Sequence, residues 1–192
     1  MITRLRAFSK KVLRPIAGAV VKSGLSANAI TYIGLLLSFV YAILAYYHYP
    51  PIVLALILLV SSFMDALDGE VARLSGSAGP KGAFIDSSLD RAEDSLFLIG
   101  LMFLGFNPVV VAVTLALSLI IPYLRARGEA LGLKMEGRGL VERGERLLFV
   151  FVILVVYSFS FLASEVLLYL LAFLSLVTVL QRFYAVYSSF PK

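Results

Sequence analysis

Four aspartates are spaced so that they can act together. Asp65 and Asp68 lie in the stretch Asp65-Ala66-Leu67-Asp68-Gly69-Glu70-Val71-Ala72-Arg73, and Asp86 and Asp90 in Gly82-Ala83-Phe84-Ile85-Asp86-Ser87-Ser88-Leu89-Asp90. At about 100° per residue, Asp65, Asp68, Gly69 and Ala72 share one helix face, and Gly82, Asp86 and Asp90 share one face of the next. Both stretches adjoin long apolar runs of the kind that cross a membrane, where carboxylates are costly and rarely placed without a function. Four carboxylates at one depth repel one another and need compensating positive charge. Arg73, one turn away, and Lys81, one loop away, are not a full answer. Hard divalent cations are, because all-oxygen ligation suits Mg²⁺, Mn²⁺ or Ca²⁺, which also hold phosphates. Gly69 and Ala72 keep the face shallow where a ligand approaches the backbone. The same residues admit two other uses: buried acid–base pairs such as Asp68 with Arg73, or the cation pathway of a transporter.

The elements that position these residues follow from composition. Sixty per cent of the 192 residues are apolar, and no long polar segment could form a second domain, so residues 1–192 read as one integral membrane domain. The chain has no cysteine and a single histidine, His48, which excludes disulfides, thiolate chemistry and a His/Cys zinc site. The Arg/Lys-rich start shows no cleavable-signal pattern. Within residues 1–24, Leu5, Phe8, Val12 and Ile16 can share a face while Arg4, Lys10, Lys11 and Arg14 lie elsewhere. That pattern predicts an amphipathic helix in the membrane interface, against anionic lipid. Apolar runs follow at 29–47, 50–74, 82–104, 108–124, 141–161 and 164–184, with Pro122 placed to bend the end of the fourth. The fold class predicted is all-α: six transmembrane helices over 25–192 plus the interfacial helix. The links at 48–51, 105–107 and 162–165 hold no Lys or Arg, whereas the other links and both termini are basic. The positive-inside rule then puts both termini and the aspartates on the cytoplasmic side of a multi-pass cell-membrane protein. The second span runs inward, so Asp65 lies roughly 20 Å along it, at a depth matching Asp86 and Asp90.

The pattern Asp65-x2-Asp68-Gly69-x2-Ala72-Arg73-x8-Gly82-x3-Asp86-x3-Asp90 resembles the signature of the CDP-alcohol phosphotransferase family, without a gap or substitution. The six spans and the interfacial leader are similar to that family too. The resemblance implies Mg²⁺- or Mn²⁺-dependent transfer of a phosphatidyl-type group from a CDP-linked lipid (CDP-diacylglycerol or CDP-archaeol) to an alcohol, releasing CMP. It implies metal-ligand roles for Asp65, Asp68 and Asp86, with Asp90 as general base and a further candidate ligand. Gly69, Ala72 and Arg73 would line the cytidine diphosphate site. Two divalent ions about 3.5–4 Å apart suit such a transfer. Relatives are homodimers, and no nucleic-acid partner is expected. Ser26-Ala27-Asn28-Ala29-Ile30-Thr31 resembles the family's Pro-Asn-x-x-Thr element with Ala27 in place of proline. Asn28 and Thr31 could reach the nucleotide; the alternative is a helix cap at Ser26 or Asn28.

The second informative stretch runs from Arg125 to Arg146 and is rich in arginine and glycine. Arg125, Arg146 and Arg182 stand at the inner ends of three spans and could converge on the pocket opposite the aspartates. Bidentate guanidinium contacts suit a phosphate, which favours a phosphorylated alcohol over serine, choline or ethanolamine. Ordinary positive-inside charge explains part of the same tract. The segments at 123–130, 141–147 and 179–182 resemble one branch of the family, the phosphatidylinositol-phosphate and archaetidylinositol-phosphate synthases. That likeness implies inositol 1-phosphate as acceptor, its phosphate on Arg125, Arg146 and Arg182, although bacterial relatives often have lysine in place of Arg125. Glycerol 3-phosphate is the alternative acceptor.

Overall fold

Prolines and capping side chains set where the long helices begin. The structure, a computed structural model, describes residues 13–190. Helix α1 covers described residues 13–22, and α2 spans Ala27–Tyr46, its first turn capped by the Ser26 hydroxyl, which accepts from the Ala29 N–H. Helices α3 (Pro51–Leu74), α4 (Pro80–Phe103) and α5 (Pro108–Ala130) each start on a proline, whose fixed φ and missing N–H suit a first helical turn. Asn107 also caps α5, accepting from the N–H groups of Val109 and Val110. Helix α6 (Arg143–Tyr157) begins where the Glu145 carboxylate accepts from the Glu142 N–H, and Ser160 caps α7 (Phe161–Tyr187). No strand occurs among the described residues.

Four of these helices, α2, α3, α5 and α7, are long and apolar enough to cross a membrane. Helices α4 and α6 differ for physical reasons. Helix α4 carries Lys81, Asp86, Asp90, Arg91, Glu93 and Asp94 between Pro80 and Ser95, and α6 has only 15 residues. The fourth predicted run, 108–124, falls short of its helix: α5 continues past Pro122 and stays helical to Ala130. Proline removes one backbone donor and crowds one carbonyl, and a long helix tolerates this where neighbours pack around it.

Helix α2 packs on α3 and α4, α3 on α6, α4 on α5, and α7 covers α5 and α6. The main core joins Tyr41, Leu54, Leu58, Phe97, Leu101, Ile153, Leu154 and Leu168. Helices α2 and α4 approach closely because Gly100 leaves room for the Tyr41 ring, with which an added Cβ would overlap. The Tyr41 hydroxyl donates to the Phe97 carbonyl (3.1 Å), and its ring meets Phe97 edge-on at 5.1 Å. A smaller core joins Leu13 and Ala17 of α1 to Ile30, Leu67 and Val71. In the expected interfacial helix, Arg4, Leu5, Phe8, Lys10, Lys11 and Val12 lie outside the described residues. Ile16 is exposed, and the protein-facing stripe is Leu13 and Ala17.

The link 131–142 is packed down. Met135 is fully buried against Gly128, and Gly139 (φ +113°) passes close to Thr178. The Thr178 hydroxyl accepts from the Val141 N–H (3.1 Å). This docks the arginine-rich link on α7 beside the start of α6.

Candidate active site

The starts of α2 and α4 and the end of α3 enclose a cleft of about 400 Å³. Asn28 and Thr31 line it from α2, Asp68, Gly69, Ala72 and Arg73 from α3, and Lys81, Gly82 and Asp86 from α4. All five residues expected to contact the nucleotide thus stand on one cavity, beside two of the four aspartates. The cap of α2 belongs to Ser26, which leaves the Asn28 side chain to the cleft. The Thr31 hydroxyl lies 2.6 Å from Asp68 Oδ2 and 3.1 Å from the Ala27 carbonyl. Its one proton goes to the carboxylate, the nearer and charged acceptor. Arg73 pairs with Glu70 (Nε 3.0 Å, Nη2 2.6 Å), so an Asp68–Arg73 pair is not what this site contains.

Asp65 and Asp90 do not line the cleft. They meet Glu93, and each of these three offers a carboxylate oxygen within 4.8 Å of the others. Asp86 lies between the two groups, near enough to Asp65, Asp68 and Asp90 to interact with each through charge. Both Asp65 oxygens and Glu93 Oε1 are buried without an aligned hydrogen-bond partner among the described residues. Gly34 of α2 sits directly over them: an added Cβ would lie 3.0 Å from Asp65 Oδ1 and from Glu93 Oε1. Asp65 Oδ1 and Glu93 Oε1 converge here from two helices with no aligned donor, which fits a hard divalent cation.

Positive charge does reach this group, from a residue distant in sequence. Arg143, the first residue of α6, places Nη1 2.9 Å from Asp65 Oδ2 and 2.8 Å from Asp90 Oδ1. Its Nη2 donates to Glu93 Oε2 (2.9 Å) and its Nε to Asp94 Oδ1 (3.0 Å). Asp94 Oδ2 accepts from Arg146 Nη2 (2.8 Å), so one carboxylate joins two guanidinium groups. The remaining Asp90 oxygen, Oδ2, is 3.3 Å from Arg91 Nη2.

Arg125, Arg146 and Arg182 are the arginines expected at an acceptor phosphate. Arg182 lies within charge–charge reach of both Arg125 and Arg146. Each also has a protein partner. Arg125 is half-exposed and paired with Glu129 (2.9 Å), and Arg146 is buried against Asp94. Arg182 is buried, donating to the carbonyls of Arg138 and Ile121 (2.8 Å each), with Nη2 3.6 Å from Glu142. Its bond to Ile121, next to Pro122, ties α7 to the turn of α5 that the proline interrupts.

Sequence reasoning did not single out Gly34, Glu93, Asp94 or Arg143. Glu93 and Asp94 follow Asp90 by three and four positions, so the helical stripe through Asp86 and Asp90 continues into them. Arg143 precedes Arg146 by one helical turn and could have been grouped with it.

Residues 25–181 match the family model described as CDP-alcohol phosphatidyltransferase. The archaetidylinositol phosphate synthase of Aeropyrum pernix is 43% identical over 141 residues, 73% of either chain. That of Pyrococcus horikoshii is 34% identical over 185 residues, covering 96% of this chain and 95% of the relative. The crystal structure of Mycobacterium tuberculosis phosphatidylinositol phosphate synthase with manganese and citrate superposes with a TM-score of 0.82 at 30% identity, covering 92% of this chain and 89% of that one. The same enzyme with CDP-DAG bound gives 0.82 at 30% identity, covering 93% and 94%.

Proposed function

The chain belongs to the CDP-alcohol phosphatidyltransferase family, and from that membership we propose that it transfers the phosphatidyl-type group of a CDP-linked lipid to inositol 1-phosphate, releasing CMP. The observation that carries this reading is the cleft holding Asn28, Thr31, Gly69, Ala72 and Arg73 beside Asp68 and Asp86, with buried Arg146 joined through Asp94 to Arg143, which touches Asp65 and Asp90. The names of the archaeal and mycobacterial relatives support inositol phosphate as the acceptor.

In this reading Gly69 and Ala72 let the diphosphate approach α3, and Asn28, Thr31 and Arg73 hold the cytidine side. Asp65, Asp68, Asp86 and Asp90, joined by Glu93, would hold two Mg²⁺ or Mn²⁺ ions. Such ions supply positive charge to the diphosphate and to the departing CMP. Asp90 takes the proton of the acceptor hydroxyl. The hydroxyl oxygen bonds to the lipid-side phosphorus, the bond from that phosphorus to the bridging oxygen breaks, and the electron pair leaves with CMP. Arg125, Arg146 and Arg182 hold the acceptor's phosphate, and this selects inositol 1-phosphate over free inositol. The proposal includes six helices crossing the cell membrane, both termini and the cleft on the cytoplasmic side, and a homodimer.

An acceptor panel tests it. Purified protein given CDP-archaeol or CDP-diacylglycerol with Mg²⁺ or Mn²⁺ is expected to release CMP fastest with inositol 1-phosphate. Preference for serine or free inositol would sink the phosphate pocket, and preference for glycerol 3-phosphate would change the acceptor while keeping the pocket.

A further inference from the structure

We propose that Arg143 is a positioning residue for Asp65 and Asp90 that competes with divalent ions for their oxygens. The inference rests on the reading that these aspartates are metal ligands. One guanidinium touches four carboxylates, two of them buried to a few per cent exposure: Glu93 (1%) and Asp94 (4%). The contacts divide the group in two. Nε and Nη2 are hydrogen-bonded to Asp94 and Glu93, which anchors the plane of the fork. Nη1 alone reaches the two catalytic-motif aspartates, one from α3 and one from α4. A planar fork pinned along one edge presents its remaining nitrogen at a fixed point, which an ammonium on a flexible stem cannot do.

That fixed point is where an ion's ligands converge. A divalent ion on Asp65 and Asp90 would share oxygens that lie 2.8–2.9 Å from Nη1. Like charges at such range in a poorly solvated site repel strongly. Removing Arg143 leaves Asp65, Asp90 and Glu93 with less positive charge around them, and they then bind a divalent ion more tightly. Arg143 thus weakens the resident metal while holding Asp90 in place, and Asp94 links this effect to Arg146 and the arginine group.

The test is Mn²⁺ binding to the purified full chain in detergent without CDP-lipid, followed by calorimetry or the free-Mn²⁺ paramagnetic resonance signal. Arg143→Gln is expected to bind Mn²⁺ about tenfold or more tightly than the unaltered protein, within the range that groups behind metal ligands command. Its melting temperature without metal should fall, and Mn²⁺ should raise it by more than in the unaltered protein. Equal or weaker Mn²⁺ binding by Arg143→Gln, with binding lost in Asp65→Asn, overturns the inference and leaves the metal site standing. Absence of Asp65-dependent Mn²⁺ binding in the unaltered protein overturns the metal reading and this inference with it. Should Arg143→Gln not fold, Arg143→Lys decides: the ammonium reaches fewer carboxylates, so affinity should rise about threefold. An unchanged or lower affinity in that variant overturns the inference equally.

Discussion

At the residue scale, Asp90 is the group on which turnover should depend most sharply. Its oxygens are held by two arginines, Arg143 on Oδ1 and Arg91 on Oδ2, which fixes the carboxylate's direction. It does not line the cleft that holds the predicted nucleotide contacts. Asparagine keeps the volume but cannot take a proton. Asp90→Asn is therefore expected to lower single-turnover CMP release by about 10²–10⁴-fold, the usual scale for a general base. CDP-lipid binding, measured by calorimetry, should change little. Near-normal turnover would remove the base assignment. The aspartates were legible in the sequence because helical spacing puts them on facing stripes and little else explains them there. Their counter-charge was not legible. Arg143 lies 49 and 50 residues from Asp94 and Glu93, while the sequence invites a search one turn or one loop away, at Arg73 and Lys81. Arg73 pairs with Glu70 instead.

At the element scale, α2 is the helix that the other two site helices lean on, and two glycine contacts set how closely. Gly34 of α2 lies over Asp65 and Glu93, whereas Gly100 of α4 lies under Tyr41. The same substitution should therefore have different effects at the two places. In Gly34→Ala the new methyl must push two carboxylates aside by a few tenths of an ångström, so Mn²⁺ affinity should fall about tenfold with a modest loss of stability. In Gly100→Ala the methyl overlaps a buried aromatic ring, so stability should fall by about 1–3 kcal/mol with metal affinity near normal. Thermal unfolding in detergent and Mn²⁺ titration of both variants check the contrast, and equal effects on both quantities would remove it. The starts of α3, α4 and α5 were readable to within two residues from the apolar runs, and Pro51, Pro80 and Pro108 fix where they fall. The end of α5 was not. The apolar run ends at 124, just past the expected bend at Pro122, but packing against α7 and the bond from Arg182 accompany a helix that continues to Ala130. That is tertiary structure overriding a local signal.

At the scale of the whole molecule, function depends on which side of the membrane the cleft faces. The helix ends divide into two sets. The links at 47–50, 104–107 and 158–160 contain no Lys or Arg, while the opposite ends carry Arg73, Lys81, Arg125, Arg127, Lys134, Arg138, Arg143, Arg146 and Arg182. Four helices are long and apolar enough to be spans, whereas α4 carries the site's own charges and α6 has only 15 residues. The proposal has both of these helices cross as well. Helix α3 ends where α4 begins, beside the cleft, and α4 ends at the uncharged link where α5 starts, so α4 runs antiparallel to both neighbours. Helix α6 likewise returns between the basic link 131–142 and the uncharged link before α7. Six crossings with the basic ends inward are what we propose on this charge pattern. The natural chain lacks cysteine, so single cysteines report cleanly. Tyr49→Cys and Leu162→Cys, both at exposed positions near uncharged links, should react with a membrane-impermeant maleimide in sealed right-side-out vesicles. Leu140→Cys, exposed on the basic link, should react only after permeabilisation. Labelling of Leu140→Cys in sealed vesicles would reverse the orientation, and labelling of Tyr49→Cys without Leu162→Cys would break the count of six by placing the ends of α2 and α6 on opposite sides.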